Sequence, residues 1–214
     1  MDEPLDIVLE NARLQGTLKV PSRAKGMVIF AHGSGSGRLS PRNRSVADHL
    51  YREKIGTLLF DLLTAREARE DTLTSSYRFD IPFLTERLVQ VTDWLMARFK
   101  SEKINFSIGY LGASTGAAAV LMAAARRPDA VKAVVSRGGR PDLASPALPG
   151  VKAPTLLIVG GEDHEVLRLN EEALRSIHAP KELYIVEGAT HLFEEPGTLE
   201  EAAGAAVRWF NKYL

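Results

Sequence analysis

Apolar residues in this chain cluster in two ways: in short, predominantly apolar runs, and in longer stretches where they recur every three or four positions. Met27 to Ala31, Thr57 to Phe60, Ile104 to Tyr110, Val131 to Val135, Thr155 to Val159 and Glu182 to Val186 are runs of the first kind. Such runs suit strands covered on both faces, as a mostly parallel sheet requires. Ile7 to Leu9 and Leu14 to Val20 read as an edge hairpin turning through Glu10-Asn11-Ala12. Between the runs, Leu84, Leu88, Val91, Leu95 and Phe99 mark a helix over 81–99, with Pro82 tolerated in its first turn. Further helices are predicted over 44–53, 115–126, 170–177 capped by Asn170, and 198–213 capped by Thr198 with Glu201 completing a capping box. Strands alternating with helices specify an α/β fold: one domain over 1–214 whose mostly parallel central sheet carries helices on both faces. Residues 62–80 have weak periodicity and read as a loop or as a short helix from Thr64 through Asp71, too short for a large lid domain.

Composition narrows the chemistry. Lys and Arg total 27, as do Asp and Glu, so no net charge draws the chain to nucleic acid or to an anionic membrane. The absence of cysteine excludes disulfides, thiolate-held metals and a cysteine nucleophile. No window approaches the roughly 18 apolar residues of a membrane span, and the acidic start Met1-Asp2-Glu3-Pro4 lacks signal-peptide character, so a cytoplasmic protein is expected. No cofactor or metal motif is found, and oligomeric state is not readable.

The strongest local signal follows the run Ile104 to Tyr110. Gly112-Ala113-Ser114-Thr115-Gly116 is a G-x-S-x-G pattern between a strand and a helix former. The sharp turn holds its serine at strained dihedrals, and the flanking glycines remove side chains that would collide with nearby backbone. Ser114 is the candidate nucleophile, with the Thr115 N–H one donor to a developing oxyanion.

A serine hydroxyl at neutral pH needs a base, and the base needs an orienting acid. Asp163 lies past the strand Thr155 to Val159, and His191 past Glu182 to Val186. Their order after Ser114, each beyond its own strand, is that of the strand–turn–helix serine hydrolases. Glu162 and Glu165 are rivals for the acid, better read as solvated loop residues; His164, His49 and His178 read as rim or surface residues. The loop His32-Gly33-Ser34-Gly35-Ser36-Gly37 offers the second oxyanion donor, assigned to the Ser34 N–H with Gly33 and Gly35 as neighbours in contention. His32 is then a hydrogen-bonder at the loop base.

For substrate contacts, Leu62 and Leu192, with Leu63, Tyr77, Phe79, Leu143, Val166 and Phe193, sit in or next to strand-end loops suited to an apolar acyl pocket. Arg137, in Ser136-Arg137-Gly138-Gly139-Arg140-Pro141-Asp142, is placed to bind a substrate carboxylate or phosphate. The preferred reading of Arg137 and Arg140 is instead salt bridges tying loops together, to Asp142 or Asp61.

At these residues the chain resembles the α/β-hydrolase superfamily, and within it the compact dienelactone hydrolase-like branch. The resemblance runs from the His32-Gly33 loop through Gly112-Ala113-Ser114-Thr115-Gly116 and Asp163 to His191 and the terminal helix. It implies an α/β-hydrolase fold, a triad at Ser114, Asp163 and His191, and oxyanion positions at Ser34 and Thr115. Dienelactone hydrolases proper carry a cysteine where this chain has Ser114, which favours a carboxylesterase-like activity on a small ester, thioester or lactone. Amidase, peptidase or acyltransferase chemistry on the same triad is the alternative, and a non-catalytic binding protein retaining the fold a further one.

Overall fold

The computed structural model describes residues 3–214. Along the chain run β1 (Glu3–Val8), β2 (Arg13–Lys19), β3 (Gly26–Ala31), α1 (Pro41–Arg52), β4 (Ile55–Phe60), α2 (Ala65–Thr74), α3 (Ile81–Ser101), β5 (Ser107–Ala113), α4 (Thr115–Arg126) and β6 (Val131–Arg137). Then come 3₁₀ turns over Pro141–Gly150, β7 (Thr155–Gly160), α5 (His164–Ser176), β8 (Lys181–Val186) and α6 (Thr198–Tyr213). The eight strands form one sheet in the order β1-β2-β4-β3-β5-β6-β7-β8. Only the β1–β2 and β2–β4 pairings are antiparallel; every pairing from β4 to β8 is parallel.

The apolar runs become strands because β3, β4 and β7 are buried along their whole length. Helices α3, α4 and α5 cover one face through residues such as Leu88, Leu95, Ala119, Val120 and Ala173. Helices α1 and α6 cover the other through Val46, Leu50, Ala203, Ala206 and Phe210. The strand order reverses at β3, which lies between β4 and β5, so the C-terminal ends of β3 and β5 open the crevice where doubly wound sheets hold their ligands. Among the described residues no large lid covers this edge; the segment after β4 folds as the ten-residue helix α2. Among the described residues no helix is long and apolar enough to cross a membrane.

Several predicted boundaries move. The first strand begins at Glu3 and ends at Val8, and the hairpin turn is closed by the Leu9 N–H on the Ala12 carbonyl, at 2.8 Å. Helix α1 starts at Pro41 rather than 44, because Ser40 caps it by accepting from the Asn43 N–H. Residues 62–80 contain a helix, nucleated by a complete capping box between Thr64 and Glu67. Asn170 is no cap: α5 begins six residues earlier, and Asn170 is buried mid-helix, where its Nδ2 donates to Val166 O and Gly139 O. Thr198 is likewise inside α6, whose cap is Gly197 at φ 84°; the Thr198 hydroxyl turns back to Glu195 O, and no box forms with Glu201.

Candidate active site

Strand β5 delivers Ser114 to the crevice and α4 carries the chain away from it. The turn is tight enough to leave Ser114 at φ 50° and ψ −122°, a region that costs a non-glycine residue about 1–3 kcal/mol. Neighbouring backbone enforces the conformation. A Cβ on Gly116 would lie 2.3 Å from the Ala31 carbonyl oxygen, and one on Gly112 would lie 2.5 Å from Ala117 Cα. Side chains at either position would push α4 off β3 and β5, so the G-x-S-x-G spacing is what lets helix and strand close around the serine.

The candidate acid sits at an N-cap position, and its side chain does no capping. Asp163 occupies the N-cap position of α5, yet its carboxylate makes no hydrogen bond to the helix. It points across to the loop after β8, where His191 Nδ1 lies 2.6 Å from Asp163 Oδ2. That contact places the imidazole proton on Nδ1 and leaves Nε2 as the basic nitrogen. The His191 loop is pinned on both sides. Glu195 accepts from the Thr190 hydroxyl at 2.5 Å and from the Thr190 N–H at 3.1 Å, bonds that hold its carboxyl below the usual range. Phe193, at φ 55°, is buried against the α1/α6 face. Ser114 and His191 line the same pocket, of about 250 Å³, with no hydrogen bond closed between them. Catalytic contacts of this kind often tighten only on the substrate.

The oxyanion assignments separate. Thr115 is the first residue of α4, so its N–H has no acceptor within the helix. The Ser34 N–H donates to the Thr115 hydroxyl at 3.0 Å, which fixes the glycine-rich loop against the start of α4 but occupies that donor. Gly33 is tightly packed: a Cβ there would stand 3.0 Å from Ser114 Cβ and 3.2 Å from the Ala113 carbonyl oxygen. His32 does what its position suggests. Its Nε2 accepts from the Leu62 N–H at 3.1 Å and its Nδ1 donates to Gly33 O at 3.0 Å, a pairing that requires the neutral ring. Burial pushes its pKa below the ordinary value, outweighing the Gly33 bond and nearby Asp61, which pull the other way.

The Gly33–Ser36 loop stands between two lobes. An apolar lobe of about 170 Å³ is lined by Leu62, Leu63, Ala68 and Leu84 and reaches Thr115. The polar lobe holds Ser114, His191, Arg137, Arg42, Asn43 and, at its rim, Leu192. Tyr77, Phe79, Leu143, Val166 and Phe193 line neither: Phe79 and Leu143 face solvent, Val166 and Phe193 are core, and Tyr77 packs on the Phe83 ring at 5.3 Å. His164 and His178 are exposed, and His49 is half-buried on α1 with its Nδ1 on Ser45 O.

The arginines divide. Arg140 pairs with Asp142 through two contacts of 2.7 and 2.8 Å, while Asp61 is taken by Arg38. Among the described residues Arg137 forms no salt bridge, against the preferred sequence reading. Its Nη2 donates to Asn43 Oδ1 at 3.1 Å, and its Nη1 is buried without a partner. Arg42 and Asn43 were not singled out in the sequence; with the first helix placed from 44, they fell outside any element. The signal that would have found them is the Ser40-Pro41 pair, an N-cap followed by the favoured first helical residue.

The dienelactone hydrolase family profile matches residues 19–214. A dienelactone hydrolase from Anabaena variabilis is 51% identical and superposes with a TM-score of 0.97, covering 100% of this chain and 98% of that one. A serine hydrolase without a lid from Xanthomonas campestris shares the fold at 18% identity and a TM-score of 0.77, over 99% of this chain and 94% of its own. Two Mycobacterium tuberculosis proteins named as putative phosphoribosyl transferases are 51% identical over 213 residues, 100% of this chain but 47% of theirs. The chain therefore spans about half the length of those relatives. On a profile match over nearly all of its length and a half-identical relative of the same architecture, this chain belongs to the dienelactone hydrolase family.

Proposed function

We propose that Ser114, His191 and Asp163 carry out the acyl-enzyme chemistry of this serine hydrolase on a small ester. The observation that carries the assignment is the 2.6 Å contact of His191 Nδ1 with Asp163 Oδ2, made beside a strained serine in the same pocket. His191 Nε2 takes the Ser114 proton as Oγ attacks the carbonyl carbon. The imidazolium, stabilised by Asp163, returns that proton to the departing alcohol and leaves the acyl group on Oγ. Water then gives a proton to His191 and attacks the acyl carbon, and the imidazolium passes that proton to the departing Ser114 Oγ as the C–O bond breaks, releasing the carboxylic acid and restoring Ser114 and the neutral His191. The Thr115 N–H, at the positive end of α4, stabilises the oxyanion in both halves. The Ser34 N–H joins it by turning from the Thr115 hydroxyl to the substrate. Leu62, with Leu63, receives the apolar part of the acyl group, and Leu192 covers the site from the rim.

The name of the M. tuberculosis relatives describes proteins about twice this length, and we assign to the matched half the chemistry of its triad. The test is a series of p-nitrophenyl esters of increasing acyl length, run on the parent, Ser114→Ala and His191→Ala. Both variants are expected to lose about 10³-fold or more in kcat/KM. Equal hydrolysis by all three would overturn the assignment.

A further inference from the structure

The polar lobe holds an electrostatic imbalance that the triad does not use. Arg137 is buried, at 7% exposure, and among the described residues its only side-chain partner is the neutral amide oxygen of Asn43. No carboxylate lines the lobe. The charge that acts on it is a second guanidinium, Arg42, which also lines the lobe and whose Nη1 pairs with the exposed Glu194 at 2.9 Å. Burial, and then Arg42, drag the Arg137 pKa down to about 10. A buried cation without a countercharge costs stability and persists where something else requires it. The first turn of α1 adds to the same field. It carries no acidic residue, and Pro41 has no N–H to offer. The Asn43 and Arg44 N–H groups are spent on Ser40, leaving that of Arg42 without an acceptor in the helix. The N-terminus of a 12-residue helix and two guanidiniums thus line the lobe beside Ser114, and among the described residues the carboxylate paired with Arg42, Glu194, is not part of that lining.

We propose that this lobe is a subsite for an oxyanion group on the substrate, a carboxylate or a phosphate monoester, held by Arg137, Arg42 and the first turn of α1. The hydrolase then acts on acidic esters, with the apolar part of the molecule in the Leu62 lobe. This inference rests on the triad reading above, since it supposes that Ser114 is the reacting atom.

The experiment compares neutral esters with counterparts of equal length ending in a carboxylate or a phosphonate, the anion on the acyl side in one series and on the alcohol side in another. Ratios of kcat/KM, anionic over neutral, are measured for the parent, Arg137→Gln and Arg42→Gln. The parent is expected to favour an anionic ester by about tenfold or more in at least one series, carried mainly in KM. Arg137→Gln should cut that ratio about tenfold and Arg42→Gln less; whichever anion is favoured names the group. A parent without preference in either series, or a ratio unmoved by Arg137→Gln, would overturn the proposal. Should Arg137→Gln fail to fold, an unmoved ratio in Arg42→Gln would do the same. Turnover is not the only readout. Inorganic phosphate should raise the Tm of the parent more than chloride at equal ionic strength, and Arg137→Gln should lose that difference. Unchanged hydrolysis in Ser114→Ala would remove the triad reading while leaving this binding result to judge the subsite on its own.

Discussion

Two helix N-termini in this protein handle the same chemistry in opposite ways. At the start of α2, Thr64 caps the helix and Glu67 closes the box, then pairs with the buried Arg87 at 2.8 Å. Asp71, near the other end, is buried against Arg78 and the N–H groups of Tyr77 and Arg78. Glu67 and Asp71 there each have an arginine as complement. At the start of α5, Asp163 forgoes the cap to reach His191, and on the strand ends beside it Ser114 takes a positive φ and Arg137 lies buried without a counterion. Locally consistent sequence builds scaffold, and the places where local rules fail gather at one edge of the sheet. Arg87 and Arg137 make the contrast sharpest: both are buried, but Arg87 has Glu67 and the Phe83 ring, 4.9 Å away, while Arg137 has one amide oxygen.

Removing one carboxylate from each region should separate function from stability. Asp163→Asn is expected to lower kcat by about 10⁴-fold, because an amide no longer fixes the His191 tautomer or stabilises the imidazolium. Its Tm should hold or rise, since asparagine is free to cap α5. A large loss of Tm would show that Asp163 belongs to the scaffold after all. Glu67→Ala should do the reverse. It deletes the box and strands Arg87, costing about 2–4 kcal/mol in urea denaturation, while Ser114 should still be labelled by a fluorophosphonate. Wild-type stability would erase the distinction between the two helix starts.

How much of this was legible in the sequence follows from which signals are local. The strands were readable because burial on both faces writes a continuous apolar run, as in Met27 to Ala31. The serine turn was readable because strand, glycines and helix are adjacent in the chain. Helix starts were not, since cap chemistry is ambiguous. Asn170 and Thr198 have cap-forming side chains but spend them inside their helices, whereas Asp163 holds the cap position and spends its carboxylate elsewhere. The surroundings of Arg137 were least accessible of all, because its partner Asn43 is 94 positions away and belongs to a helix turn hidden by the misplaced start of α1.

Arg137→Met tests the comparison from the site side with a smaller effect. Exchanging an unpaired buried cation for an apolar side chain of similar length should leave stability unchanged or raise it by about 1 kcal/mol in urea. A loss as large as that of Glu67→Ala would make Arg137 a structural arginine like Arg87.

The smallest effect belongs to His32, which joins the two regions by linking the Leu62 N–H, just ahead of α2, to the glycine-rich loop beside Ser114. Its folded pKa is lowered from 6.5, by burial first, so the unfolded chain binds the proton more readily. The contribution to stability is therefore complete above about pH 6.5 and declines as pH falls from there toward the folded pKa. Carboxylates also lose stabilising partners in acid, so the parent's curve alone does not isolate the ring. His32→Gln removes the titrating group and keeps an acceptor for Leu62. The difference in Tm between parent and variant should thus shift in favour of the variant between pH 7 and 5, and parallel curves would show that His32 is not held neutral by the fold.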